Sequence, residues 1–548
     1  MRGISRQDVG LVLIVAFALY LRAVNLPTVP QWMWDEGANV NYAANLAEGR
    51  LQHFGYRYHF MPHPPLYFAL LAPLFKVFGA DMTVLRLFSV ACSLAGLILT
   101  YRIVRDAAGG GCGLAAALAY ALYPELIFWG RLGFGNNLLA ALALASAYFL
   151  VRFLSGRRRR DLICCCVLTG LCPVTEYAGV AFIVALGVVL RLYAPEHLAK
   201  ALAISAAPLI LFAASMLAFD ADGFLKDAGN YFSLYPLALP LLAAGALILD
   251  RLVGPVERTL SSLYYGVGKE TPAELIVCVL LSALALVPVS HEAVVFGRSL
   301  SAVAAMSFLG LFLIPNENPR NVLLVYLGCY LTLLMALNRW DHTSIPLHYL
   351  ACGGSAFLMG KAASYARGRI PAAAALVALP LAVTFWADVD GFAFKGVGEA
   401  PAAEFGELTG FINDRTEADD LVVSFTYLAP QAKARTALFI EAVAYHGYRF
   451  GYLNRDYTQE DFIYNHSFGN IEYMVLPQGF VEQLNHSEYG GVTSGLAEWP
   501  AVYRVDALRM RNPGLGSAIL GYIGVPVEEE AGYVVLENPG RREGGDYK

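Results

Sequence analysis

The chain has 548 residues, of which 57% are hydrophobic and 15% charged; soluble domains carry about 25% charged residues. Its net charge is −5, and no basic run with interleaved aromatics occurs, which excludes nucleic acid as a partner. With a mean hydropathy of +0.51, the composition points to lipid as the solvent and to a polytopic α-helical membrane protein.

The charge is unevenly spread. Residues 390–548 hold 23 acidic and 12 basic side chains, against 21 and 27 in the rest of the chain. A basic transmembrane module over 1–390 and an acidic, soluble module over 391–548 follow from that division. All nine cysteines lie at or before Cys352, so the second module is not a disulfide scaffold. Cys164, Cys165 and Cys166 sit in an apolar run and read as small hydrophobes of a helix.

In chain order, the first apolar run spans 9–26, behind Arg2 and Arg6. No small-residue cleavage site follows it, so it reads as an uncleaved anchor with a cytoplasmic N-terminus. The first outer loop, 27–80, is long. Trp32, Trp34, Tyr42, Tyr56, Tyr58 and Tyr67 suit it to the membrane interface. Residues 38–48 and 64–78 read as short helices along the membrane surface, the second started by Pro64.

Further apolar runs fall near 82–101, 112–129, 134–154, 162–175, 176–192, 200–219, 232–250, 273–290, 293–314, 321–337, 346–363 and 370–388. The pair over 162–192 also reads as one long helix. About thirteen spans result. Alternate loops carry the lysines and arginines: Arg102 and Arg105, Arg157 to Arg160, Arg191 and Lys200, Arg251 to Lys269, Arg320, and Lys361 to Arg369. These loops are assigned to the cytoplasm, and an odd helix count puts the C-terminal module outside. From about residue 395 the apolar runs shorten. Glu404–Ile412 reads as a helix, and Leu421–Phe425, Tyr473–Leu476 and Tyr533–Leu536 read as strands, so a small α/β domain is expected. The sequons at Asn465 and Asn485 could accept glycans, although motifs this short also arise by chance.

Chemistry concentrates in the first outer loop. Trp34-Asp35-Glu36 places two carboxylates just beyond the first helix. Partial desolvation sharpens a carboxylate's basicity, which suits a general base. The same pair could equally serve as an acidic cap for the helix at 38–48. His63-Pro64-Pro65-Leu66 follows, then Phe78-Gly79, then Arg86 near the start of the second helix. Arg86 would be satisfied by a phosphate or a carboxylate, or by snorkelling to the interface.

As a set, these motifs resemble the GT-C superfamily of membrane glycosyltransferases. The likeness is to the branch of the protein O-mannosyltransferases and the lipid A aminoarabinose transferases, and it covers roughly residues 9–200. The resemblance implies an inverting enzyme. It would move a sugar from a polyprenyl-phosphate carrier, such as dolichyl phosphate, to an acceptor hydroxyl on a protein, lipid or glycan at the extracytoplasmic face. Asp35 matches the catalytic acid position, as base on the acceptor. Glu36 would sit beside it and bind acceptor or sugar, Arg86 would support the lipid phosphate, and His63 would shape the site. No cofactor is implied.

Two positions depart from the pattern. An acidic residue is usual at the start of helix four after an arginine; here Arg131-Leu132-Gly133-Phe134-Gly135 leads to Asn136 and Asn137. A Thr-Lys pair is usual at the end of helix five; here it is Thr175-Glu176. Arg131, Lys226 and Arg339 are the cations expected to serve the donor instead, with His342 and His348 as further candidates. An oligosaccharyltransferase-like reading would need a Trp-Trp-Asp-type motif, for which Glu498-Trp499-Pro500 is no substitute. A transporter or flippase of lipid-linked sugars would place charges in mid-helix, whereas here they cluster in the first outer loop and at helix ends.

Overall fold

The computed structural model describes residues 5–57, 64–233, 310–311, 314, 316–337, 342–354, 402–424, 426–428, 431–448, 458–483, 493–506, 508–510, 528–530 and 532–540. The runs expected near 232–250, 273–290, 293–314 and 370–388 lie wholly or mostly outside these residues.

Helix α1 (Arg6–Ala23) starts on Ser5. Ser5 Oγ accepts from the Asp8 amide at 3.2 Å, and the Asp8 carboxylate accepts from the Ser5 amide at 3.0 Å. This reciprocal cap satisfies two donors that a helix start leaves unpaired. Helix α2 (Trp34–Ala47) follows, then the hairpin β1 (Gln52–His53) and β2 (Tyr56–Arg57). Helix α3 (Leu66–Phe78) buries Tyr67, Phe68, Leu71, Ala72 and Phe75 and leaves Leu70, Val77 and Phe78 exposed, as an interfacial helix should.

The next helices are α4 (Met82–Ala108), α5 (Gly110–Leu122), α6 (Pro124–Arg131), α7 (Gly135–Gly156), α8 (Arg159–Leu171), α9 (Val180–Tyr193), α10 (Leu198–Phe219) and α11 (Ala221–Ser233). Then come α12 (Glu317–Leu337) and α13 (Ile345–Ala351). Among the described residues, three helices are long and apolar enough to cross a membrane: Met82–Ala108, Gly135–Gly156 and Pro195–Phe219. Helices α5 and α6 would make a fourth, broken span, bent by 62°. Pro124 opens α6, where its missing N–H costs nothing but the α5 ladder cannot continue through it.

The stretch over 162–192 is two helices, not one. The chain turns back between α8 and α9 so tightly that a Cβ on Gly179 would lie 2.4 Å from the Cys172 carbonyl carbon. Close packing and hydroxyl contacts hold the helices together where lipid removes the usual hydrophobic drive. Ser146 Oγ on α7 bonds both Thr169 Oγ1 on α8 and Tyr326 OH on α12. Ser205 on α10 donates to the Cys166 carbonyl at 3.0 Å. Phe182 on α9 stacks on Tyr330 of α12 at 5.0 Å.

Residues 402–540 add α14 (Ala402–Asn413), β3 (Leu421–Ser424), β4 (Arg435–Leu438), α15 (Phe439–Tyr445), β5 (Ile471–Pro477), α16 (Gln478–Gln483), β6 (Ala501–Val505), β7 (Leu508–Met510), β8 (Glu528–Glu530) and β9 (Tyr533–Glu537). Five strands form one sheet in the order β4-β3-β5-β9-β6. β3 runs parallel to β4 and β5, while β9 runs antiparallel to β5 and β6. Side chains alternate with period two. Leu421, Val423, Met474, Leu476, Val534 and Leu536 meet Phe439 and Val443 on one face. Val422, Tyr473, Val475, Tyr533 and Val535 join the core shared with the membrane helices on the other.

This α/β unit is fastened to the segment between α1 and α4. Gly55 donates to Glu441 Oε2 at 3.1 Å and accepts from the Ile463 amide at 2.8 Å. Tyr56 bridges Phe462. A Cβ on Gly37 would lie 2.3 Å from the Thr426 carbonyl oxygen, and one on Gly55 the same distance from His466 Nε2. Glu441 also accepts from the Leu438 amide at 3.1 Å and lies 3.7 Å from His466 Nε2. Replacing Glu441 with alanine strands two buried amides, so Glu441→Ala should cost about 1–3 kcal/mol. Hydrogen exchange should quicken first at Gly55 and Leu438; unchanged exchange at both would show that the contact carries no load.

Candidate active site in the first outer loop

Asp35 and Glu36 occupy the first turn of α2, and the fold treats them differently. Glu36 turns inward and is fully buried. Its Oε1 accepts from Arg86 Nε (2.8 Å) and from the Gly133 amide (2.8 Å). Its Oε2 accepts from Arg86 Nη2 (2.6 Å) and from the Met33 amide (3.1 Å). Asp35 stays half-buried at the helix start. Of the two carboxylates, Asp35 is the less buried.

Arg86, in the second turn of α4, is fully buried as well. Beyond Glu36, its Nη1 donates to the Leu26 and Pro30 carbonyls at 2.8 and 2.9 Å, and its Nη2 to the Gln31 carbonyl at 3.3 Å. A guanidinium has five N–H donors, and all five of these are spent on protein. The structure thus gives both residues a scaffold role, beside the roles expected for Arg86 with the lipid phosphate and for Glu36 with acceptor or sugar. The pair satisfies itself and the loop over 26–36, and in this geometry neither side chain has capacity left for a ligand.

Arg131 closes α6 and is also buried. It donates to the carbonyls of Leu21 (2.6 Å), Val24 and Val29 (2.7 Å). Those carbonyls lie at or just beyond the end of α1, which leaves acceptors unpaired. Arg131 is thus a cap for α1. Arg22 completes the set, donating to Ser93 Oγ at 2.9 Å and to the carbonyls of Ala18, Tyr120 and Ala121.

Lys226 on α11 is exposed and lies 3.9 Å from the Asp461 carboxylate of the α/β unit. Asp461 adjoins Phe462, which bridges the first-loop hairpin, so the structure brings Lys226 towards that loop. His348 is buried with Nδ1 2.9 Å from Tyr123 OH. His63 and Arg339 lie outside the described residues; His342 opens a short turn, His342–Ser344.

Asn39 carried no signal in the sequence, and the structural roles of Gly133, Asn137 and Glu176 were not legible there. Asn39 donates to the Gly133 carbonyl at 2.8 Å, so α2 holds both backbone groups of Gly133. A Cβ there would lie 2.2 Å from Leu85. Asn137 donates from one amide nitrogen to the Trp129 and Leu132 carbonyls (2.8 and 3.2 Å) and accepts from Tyr349 OH at 3.3 Å. A carboxylate could not make those two donations, which explains an amide where the family pattern has an acid. Glu176 approaches from the link between α8 and α9. A Cβ on Gly135 would stand 2.5 Å from its Oε1 and 3.5 Å from the Tyr67 ring. An acidic group thus does face the start of α7, but it arrives from another loop. The Leu66 amide, donating to the Val174 carbonyl at 2.9 Å, ties that link to α3. Among the described residues, no group of three or more His, Cys, Asp or Glu side chains is placed to hold a metal ion.

The fold has counterparts among solved structures. It is similar to the Archaeoglobus fulgidus oligosaccharyltransferase in complex with zinc and sulfate, with a TM-score of 0.54 at 13% identity, covering 87% of this chain and 70% of that one. Residues 62–219 match the dolichyl-phosphate-mannose-protein mannosyltransferase family. Apo ArnT from Cupriavidus metallidurans overlays at 0.46 with 14% identity, covering 98% of this chain and 99% of that one. The Saccharomyces cerevisiae Pmt1-Pmt2 complex overlays at 0.33 with 14% identity over 41% of this chain and 35% of that one. At these identities the likeness is one of fold, and overlays below 0.5 add no weight to it. No curated protein sequence matches the chain.

Arg86→Ala leaves Glu36 charged, buried and short of a partner, so it should destabilise the membrane module by about 3–5 kcal/mol. Thermal unfolding in detergent reads this, and Arg86→Lys should not restore it, because a lysine cannot reproduce the two-pronged contact. Asn137→Asp should cost about 1–3 kcal/mol by losing both donations. An unchanged melting temperature would remove Asn137 from the corner between α6 and α7.

Proposed function

We propose that this protein is an inverting glycosyltransferase that moves a sugar from a polyprenyl-phosphate carrier to an acceptor hydroxyl. The observation that carries the reading is the split fate of the acidic pair. Glu36 is sealed into the scaffold, while Asp35 stays half-buried beside it, two residues before Gly37 meets the α/β unit at Thr426. A carboxylate held so rigidly, yet accessible, suits a general base. The match to a mannosyltransferase family over residues 62–219 supports the reading.

In the proposed step, the Asp35 carboxylate takes the proton of the acceptor hydroxyl as that oxygen forms a bond to the anomeric carbon. The bond from the anomeric carbon to the phosphate oxygen breaks, and the lipid phosphate leaves with the electron pair, inverting the centre. The leaving group departs readily, so the reaction needs neither a nucleotide nor a metal. It does need a cation near the phosphate. Arg86 and Arg131 are committed to Glu36 and to carbonyls, which leaves Lys226 and Arg339 of the expected set. Residues 391–548 would cap the acceptor side. The reaction is assigned to the extracytoplasmic face, with the N-terminus in the cytoplasm, on the loop charges.

An oligosaccharyltransferase-like activity is the second reading, favoured by the fold overlay with the archaeal enzyme. Against it, Trp499 is buried in the core of the α/β sheet and does not present an acceptor motif.

The test is transfer of radiolabelled sugar from a panel of polyprenyl-phosphate sugars by purified wild type and Asp35→Asn. Wild type should consume one donor with EDTA present. Asp35→Asn should retain donor binding and lose about 10²–10⁴-fold in rate. Equal rates would reduce Asp35 to a helix cap. Transfer only from a pyrophosphate-linked oligosaccharide to an asparagine, and only with a divalent metal, would move the second reading ahead.

A further inference from the structure

Helix α7 runs 22 residues from Gly135, beside Glu176, to Gly156, and so spans about 33 Å at about 1.5 Å per residue. At its far end the chain collects cations. Arg157 to Arg160 are exposed in the link between α7 and α8. Arg157 donates to the Tyr193 carbonyl at 2.9 Å. Tyr193 OH in turn accepts from Asn321 of α12 at 2.8 Å, and Asn318 reaches Ser155 at 3.5 Å. The starts of α8 and α12 and the ends of α7 and α9 therefore meet in one corner.

Arg320 sits inside that corner, in the first turn of α12, and is 5% exposed. Its Nε makes one long contact, 3.3 Å to Asn321 Oδ1, and its Nη2 is buried with no hydrogen-bond partner. This contrasts with Arg22, Arg86 and Arg131, in which each of the three guanidinium nitrogens has at least one acceptor. A guanidinium buried without an anion costs several kcal/mol, and the positive end of a helix dipole adds to the cost. Among the described residues, the nearby acids are placed elsewhere. Glu196 is exposed and stands 4.0 Å from Arg157 and 3.7 Å from His197. Asp161 pairs with Arg152 at 3.5 Å, and Glu317 is exposed.

We propose that Arg320, at the start of α12 and beside the Arg157–Arg160 run, is the centre of an anion site that binds a phosphate-bearing group. An orphaned guanidinium, a helix N-terminus and an exposed arginine run are three complementary sources of attraction for phosphate oxygens. The headgroup phosphate of an anionic membrane lipid and free phosphate share this chemistry. The loop charges put the corner at the cytoplasmic surface, where anionic headgroups lie. The site does not depend on the transfer reaction.

The test uses the delipidated full-length protein in detergent, titrated with short-chain phosphatidylglycerol, short-chain diacylglycerol or inorganic phosphate. Wild type should bind phosphatidylglycerol and not diacylglycerol. Arg320→Gln should bind it about tenfold more weakly, the loss of one charge-assisted contact, while Arg320→Lys should keep most of the affinity. Inorganic phosphate binding as tightly as the lipid would identify free phosphate as the ligand. Weaker phosphate binding would identify the headgroup. Equal lipid affinity in wild type and Arg320→Gln, or no phosphate-dependent binding by wild type, would overturn the proposal. Native mass spectrometry of wild type decides the case if Arg320→Gln does not fold: a retained phosphate-bearing adduct supports the site, and adduct-free protein after gentle extraction rejects it.

Discussion

The buried pair between Glu36 and Arg86 organises the membrane-facing half of this protein. Two charges removed from water are tolerable only if every donor and acceptor is met, and here they are. Glu36 collects four donors, from Arg86, Met33 and Gly133. Arg86 distributes five, to Glu36 and to the carbonyls of Leu26, Pro30 and Gln31. One interaction thereby joins the loop after α1, the start of α2, the second turn of α4 and the corner before α7. Segments distant in sequence are locked into one register because no partial version of the network would be stable.

That lock has a chemical consequence. A general base must be rigid and also accessible, and one side chain cannot easily be both deeply anchored and open. In the proposed reaction, adjacent acids divide the task. Glu36 fixes the first turn of α2, and Asp35, one residue earlier on the same turn, inherits a defined position while remaining half-buried. The α/β unit adds a second constraint from the other side. Gly37 and Gly55 come so close to Thr426 and His466 that no larger residue fits, so the sheet sits directly against the helix that carries Asp35.

Three buried arginines serve this scaffold by meeting carbonyls at helix ends and loops. Their number explains how a short irregular stretch, residues 24–33, survives at the edge of a membrane, where unpaired backbone groups are costly. Arg320 is the exception among the buried arginines described. Its missing partner sets it apart as a place for a ligand, where the others are places for the chain itself.

Much of the architecture was legible in the linear sequence. Apolar runs placed α4, α7 and α10 because lipid imposes length and composition directly. Short apolar runs placed β3, β5 and β9, while β4 and β6 were missed because Arg435, Thr436 and Arg504 interrupt any such run. Trp34-Asp35-Glu36 and Arg86 stood out because charge beside a membrane helix is expensive. What the sequence could not decide was which partner each charge would find. Glu36 and Arg86 lie 50 positions apart, Arg131 meets carbonyls about a hundred positions away, and Glu176 approaches Gly135 from a neighbouring link. The sequence by itself determined that these charges must be compensated. Only the tertiary structure decided that Glu36 and Arg86 compensate each other, because pairing depends on which helix ends converge in space.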